Sequence, residues 1–141
     1  MTASIYDRWA DVLVDYCTGV REDDKVAITG GIAAEPLLRA VHRAALRKGA
    51  EVLLLPAFSE SQADVLHNAS EAQLANVSDV ERWIRETATV SITVMASTNT
   101  RALTGVDRER QLIYNRARTG LKETAMRRAA RGEQRWSLTI F

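Results

Sequence analysis

Cysteine occurs once, at position 17, so no disulfide can form within the chain, and this usage fits a reducing cytoplasm. Two prolines and seven glycines in 141 residues leave little room for a disordered tail or a linker. There are only two histidines, His42 and His67, where a divalent ion usually calls for several clustered imidazole, thiolate or carboxylate groups. No apolar run approaches the roughly 20 residues that span a bilayer, and the opening MTASIYDRWADVLVDYC carries no positive leader, so a cytoplasmic protein with no membrane partner is expected.

What is present is the composition of an ordinary globular domain, 46% apolar and 26% charged. The net charge of +1 hides a polarity: residues 1–100 carry 9 basic and 14 acidic side chains, and residues 101–141 carry 10 and 4. A positive C-terminal segment on a negative body can meet an acidic neighbour or pair with the body itself, and charge alone does not choose.

Apolar spacing divides the chain into alternating elements. Ile5, Trp9, Val12, Leu13, Tyr16 and Val20 recur at helical intervals, with Ser4 as N-cap and Gly19 as the stop. KVAIT, at 25–29, is short and apolar enough for a strand buried on both faces. Residues 35–48 predict a helix, opened by Glu35 and Pro36 and closed by Arg47, Lys48 and Gly49. EVLLL, at 51–55, predicts a second strand stopped by Pro56, whose missing amide would break a central ladder. Three short helices follow, the last two signalled by the capping boxes SEAQ (70–73) and SDVE (78–81). A β-branched strand over 90–95, a polar connection over 97–105, a helix from about Asp107 to Ala130 and an alternating strand over 136–140 complete the chain. In the last strand Trp136, Leu138 and Ile140 are expected to face a different layer from Ser137 and Thr139. This order is the grammar of crossover units, so residues 1–141 predict a single α/β domain, three-layer α/β/α, with a mostly parallel sheet of about four strands. A chain ending at Phe141 inside an apolar strand reads as the front part of a longer protein, with an exposed apolar or mixed patch that favours self-association.

Chemistry-bearing motifs are sparse, and no catalytic, cofactor-binding or metal-ligating residue is assigned. Gly30 and Gly31 follow a strand, but GGIAAEP lacks the third spaced glycine of a dinucleotide fingerprint and the lysine of a phosphate loop, so a strand-to-helix turn is the expectation. His42 fits a partly buried position beside the helical stripe, and His67 a helix end. Glu22, Asp23 and Asp24 read as a solvated loop, and Cys17 as a small buried side chain. Ser59, Ser61, Ser70 and Ser78 read as caps and turns, no nucleophile elbow surrounding them. Arg108, Arg110, Arg116, Arg118, Arg127, Arg128, Arg131 and Arg135, with Lys122, are spread around a helix without interleaved aromatics, as in a solvated surface or an acidic-protein contact rather than a nucleic-acid site.

The ordered blocks YCTGVREDDKVAITG, AAEPLLRAVHRAALRKGAEVLLL, ASEAQLANV, NTRALTGVD and RWSLTIF resemble the N-terminal domain of the thermophilic metallo-aminopeptidases of the aminopeptidase T and aminopeptidase S type, along essentially all 141 residues. The resemblance implies a longer, two-domain enzyme that removes N-terminal amino acids from peptides. Its C-terminal domain would hold two divalent metal ions (zinc, cobalt or magnesium), and that domain lies beyond Phe141. These residues would then be non-catalytic, with their own C-terminal domain as partner and a homo-oligomer as the assembly. The alternatives are an independent protein-interaction domain or a small nucleotide- or phosphate-binding domain.

Overall fold

The computed structural model describes residues 2–96, 101 and 103–141. Four parallel strands, β1 (Lys25–Gly31), β2 (Glu51–Ala57), β3 (Val90–Met95) and β4 (Arg135–Ile140), form one sheet in the order β2-β1-β3-β4. Helices α1 (Ile5–Asp11) and α2 (Glu35–Arg47) cover one face. On the other lie α3 (Ser61–Asn68), α4 (Glu71–Ala75), α5 (Asp79–Glu86) and the long α6 (Arg108–Ala130), giving a three-layer α/β/α domain.

The principal core lies under α1 and α2. Val26 and Ile28 of β1 and Val90, Ile92 and Val94 of β3 project there, against Ala10, Leu13, Val14, Leu37, Leu38, Val41, Ala44 and Ala45. Each fully buried Val or Leu contributes about 1.5–3 kcal/mol, so this layer anchors the fold. Across the sheet, Ala63, Leu66, Leu74, Leu121 and Ala125 form a thinner buried layer. The helices start where their chemistry dictates: Ser4, Ser70 and Ser78 each make a reciprocal capping box, with Asp7, Gln73 and Glu81 respectively.

The structure departs from the sequence expectation in several places. The first helix is not α-helical to its end, since Val12–Cys17 form a π-helical turn. Gly19 closes it at φ 55°, the left-handed conformation that suits glycine. Within this turn Cys17 is exposed, not buried. Gly30 and Gly31 are not a turn but the last two residues of β1. Pro56 does not end β2, which runs to Ala57, because β2 is an edge strand with no neighbour to miss the proline amide.

β4 alternates as expected, but with the apolar set outward. Trp136, Leu138 and Ile140 are exposed at 63%, 50% and 73%, whereas Ser137 and Thr139 are half-buried. The polar connection expected over 97–105 falls partly outside the described residues.

Candidate functional site

A polar cleft of about 200 Å³ lies between the sheet and the helices α5 and α6. Its floor is Thr29 of β1 with Ser91 and Thr93 of β3, and its roof is Glu81, Ile84, Arg85, Arg118, Leu121 and Lys122. The floor follows from strand alternation: Val26 and Ile28 point into the core, so Thr29 and its partner Thr93 point the other way, their hydroxyls 3.2 Å apart.

The roof is locked rather than poised for catalysis. Arg118 donates from Nε and Nη2 to the two Glu81 carboxylate oxygens, at 2.8 and 3.2 Å, in the bidentate fork that suits guanidinium and carboxylate. Its guanidinium also lies 3.5 Å from the centre of the Tyr114 ring. Burial would raise the Glu81 carboxyl, but hydrogen bonds and charge from Arg118 and hydrogen bonds from Ser78 outweigh it and hold the group below its ordinary value. A carboxylate kept ionised and doubly bonded is a structural anion, not a general base for pH 7.

A series of arginines explains the basic C-terminal segment. Arg110 donates to the carbonyls of Leu66 and Ala69, at the end of α3. Arg118 reaches those of Leu74 and Asn76, at the end of α4. Arg128 reaches Arg85, Thr87 and Ala88, at the end of α5. Arg135 takes Thr18 and Gly19, just past the first helix. The last carbonyls of a helix have no intrahelical donor and carry the negative end of its dipole, so a guanidinium satisfies both their hydrogen bonding and their charge. Four of the ten basic side chains of this segment are thus spent on the protein's own body, and these four arginines are not the solvated side chains expected.

The REDD loop is likewise only partly solvated. Arg21, Glu22 and Asp23 are exposed, but the Asp24 side chain is buried and accepts from the Arg21 amide at 2.7 Å, the Thr89 hydroxyl at 2.8 Å and Arg135 Nη2 at 2.5 Å. Burial pushes its carboxyl up, and these three donors more than reverse the shift. No local pattern marks Asp24 among three consecutive acids, because two of its three partners, Thr89 and Arg135, lie far along the chain.

The glycine pair serves the packing of the chain. A Cβ on Gly30 would stand 2.6 Å from the Val94 carbonyl oxygen and 2.9 Å from Leu38 Cδ2, and one on Gly31 would stand 2.4 Å from the Ala96 oxygen. Protein atoms fill the space that a phosphate cradle would leave open.

The sequence profile of the thermophilic metalloprotease family, M29, matches residues 3–141. The chain belongs to this family. No curated protein matches it. Among solved structures, wild-type AmpT from Thermus thermophilus superposes with a TM-score of 0.71 at 20% identity, over 96% of this chain and 35% of that one. The M29 chain described here therefore shares the AmpT fold over its length and spans about a third of the AmpT chain.

The family name implies a metal. Among the described residues no three His, Cys, Asp or Glu side chains come together as ligands. His42 lies on α2 and His67 in the last turn of α3, on opposite faces of the sheet. The cleft holds one carboxylate, Glu81, already bound by Arg118, so its donors do not suit a divalent cation. Ser70 and Ser78 are occupied as helix caps.

Proposed function

We propose that this chain is the non-catalytic N-terminal domain of a metal-dependent aminopeptidase, an enzyme that removes amino acids from the free N-termini of peptides. The observation that carries the reading is the family match along residues 3–141, joined to a fold that covers only 35% of the AmpT chain. In this reading two divalent ions, zinc, cobalt or magnesium, are held by a C-terminal domain. There they lower the pKa of the attacking water and polarise the scissile carbonyl. The 141 residues form a wall and support for that domain, limit access to its cleft and associate as a homo-oligomer in the cytoplasm. The reading includes no nucleic-acid partner, and the engagement of Arg110, Arg118, Arg128 and Arg135 with the protein's own carbonyls supports that part of it. Among the described residues no helix is long and apolar enough to cross a membrane.

A protein-interaction domain is the second reading, favoured by the exposed apolar side chains of β4. Metal retention separates the two. After incubation with zinc, cobalt or magnesium and gel filtration, the 141-residue chain is expected to retain no stoichiometric ion, and a polypeptide encoded past Phe141 to retain two per chain. Failure of the longer polypeptide to hold metal leaves the interaction reading in possession.

A further inference from the structure

The cleft between the sheet and the helices α5 and α6 carries an unbalanced charge. Glu81 and Arg118 on its wall neutralise one another, whereas Arg85 and Lys122 make no ion pair among the described residues. Both are exposed, so two uncompensated cations stand at the open side of a recess whose wall includes the apolar Ile84 and Leu121. Low-dielectric walls concentrate such a field. The floor adds hydroxyl protons. Thr29 and Thr93 share one hydrogen bond, to which only one of the two O–H groups donates, so the other proton remains for a further acceptor. Ser91, on the same face of β3 as Thr93, makes no side-chain hydrogen bond among the described residues. The place also fits the topology. The chain passes from β1 to β2 on one side and then crosses to β3 on the other, and Thr29 and Thr93 lie in the later halves of β1 and β3, the pair of strands where an open parallel sheet takes its ligands.

We infer that this cleft is a binding site for a small tetrahedral oxyanion, inorganic phosphate or the phosphoryl group of a small ester. Arg85 comes from α5, Lys122 from α6 and the hydroxyls from the sheet, so the donors converge from three elements and reach different oxygens of one tetrahedral group. A planar carboxylate offers two oxygens in one plane, which suit a single guanidinium fork and leave the other donors unused. The two excess positive charges match the charge of roughly −1.5 to −2 that a phosphate monoester carries at pH 7. The volume of about 200 Å³ falls below the ~300 Å³ at which pockets for larger small molecules begin, so a base or sugar ring stays outside. This is not the end of β1, where protein atoms fill the space beside Gly30 and Gly31. A bound oxyanion ties α5 and α6 to the sheet and stabilises the folded chain by mass action. The inference needs neither a metal nor peptidase activity, so it and the proposed function can fail separately.

Amide NMR spectra of the 141-residue chain, titrated with sodium phosphate while sodium chloride holds the ionic strength constant, test it. Saturable shifts are expected at Arg85, Ser91, Thr93 and Lys122. Arg85→Gln and Lys122→Gln, both at exposed positions, are each expected to weaken binding about tenfold, the loss of one charge-assisted hydrogen bond. Arg116→Gln removes an exposed cation elsewhere on α6 and is expected to leave binding unchanged. Phosphoserine separates the two sources: saturation of the same amides extends the site to phosphate esters, and failure beside binding of phosphate confines it to the free ion, the site standing in either case. Shifts that do not saturate overturn the inference, as does equal weakening by Arg116→Gln, which would mean general screening of a basic surface. Sodium acetate that binds as tightly as phosphate would overturn the assignment to a tetrahedral oxyanion.

Discussion

Arg135 meets the buried carboxylate of Asp24 at 2.5 Å, although the two residues lie 111 positions apart. Their contact joins the loop before the central strand to the start of the last strand, while Arg135 Nε binds the Thr18 carbonyl at 2.6 Å. Asp24→Ala would strand Arg135 and leave the Arg21 amide and Thr89 hydroxyl short of an acceptor. The expected cost in urea unfolding is about 2 to 3 kcal/mol, below the ~3–5 of a wholly buried pair because Arg135 is partly exposed. A loss under about 0.5 kcal/mol, the range of surface substitutions, would show that the tie carries little stability.

The same carboxylate, with Glu81, sets the acid side of the stability profile. Both groups are held below their ordinary values in the folded protein, so the unfolded chain binds protons more readily as the pH falls. Their stabilisation is fully present above the unfolded values, about 4, and is lost as the pH falls through the lower folded ones. Unfolding free energy followed from pH 7 to pH 3 is expected to drop most steeply below about pH 4. The double variant Asp24→Asn with Glu81→Gln should flatten that drop, and an unchanged slope would place its origin in other groups.

The glycines offer opposite outcomes from one kind of substitution. Gly30→Ala or Gly31→Ala drives a methyl group into the carbonyl of Val94 or Ala96, and is expected to cost about 1–3 kcal/mol or more. Gly120 sits inside α6, where an added Cβ meets nothing within 4 Å, so Gly120→Ala should stabilise by up to about 1 kcal/mol. Thermal unfolding of the three variants checks the order. Tolerance of alanine at position 30 or 31 would reopen the question of a ligand at the end of β1.

Arg118 ties α4, α5 and α6 together with one guanidinium. Lysine keeps the charge but not the planar fork, so Arg118→Lys is expected to lose about 1–3 kcal/mol despite its formal conservatism. Arg116→Lys, at an exposed position on the same helix, should stay within about 0.5 kcal/mol. Equal effects at both positions would mean that charge alone, not hydrogen-bond geometry, matters at Arg118.

Much of the architecture is legible in short-range pattern. The apolar runs around Ile28 and Ile92, the capping boxes at Ser70 and Ser78 and the stripe of Leu37, Val41, Ala44 and Ala45 mark their elements because each signal lies within a few residues. What escapes depends on partners far along the chain. The carbonyls bound by Arg110, Arg118 and Arg128 lie 40 or more residues away, and two of the three donors that set Asp24 apart from Asp23, Thr89 and Arg135, are as distant. The π-helical turn that exposes Cys17 has no local sequence signature. In β4 the alternation of Trp136, Leu138 and Ile140 tells that two faces differ, but not which is covered, since that depends on how far α6 reaches across β3 and β4.

The proposed division of labour is tested most directly by turnover of peptides with free N-termini, measured for the purified 141-residue chain and for a polypeptide encoded past Phe141, each with and without added zinc, cobalt or magnesium. The account predicts metal-dependent release of N-terminal amino acids by the longer polypeptide alone. Metal-dependent turnover by the 141 residues themselves, or inactivity of the metal-loaded longer polypeptide on every such peptide, would contradict it.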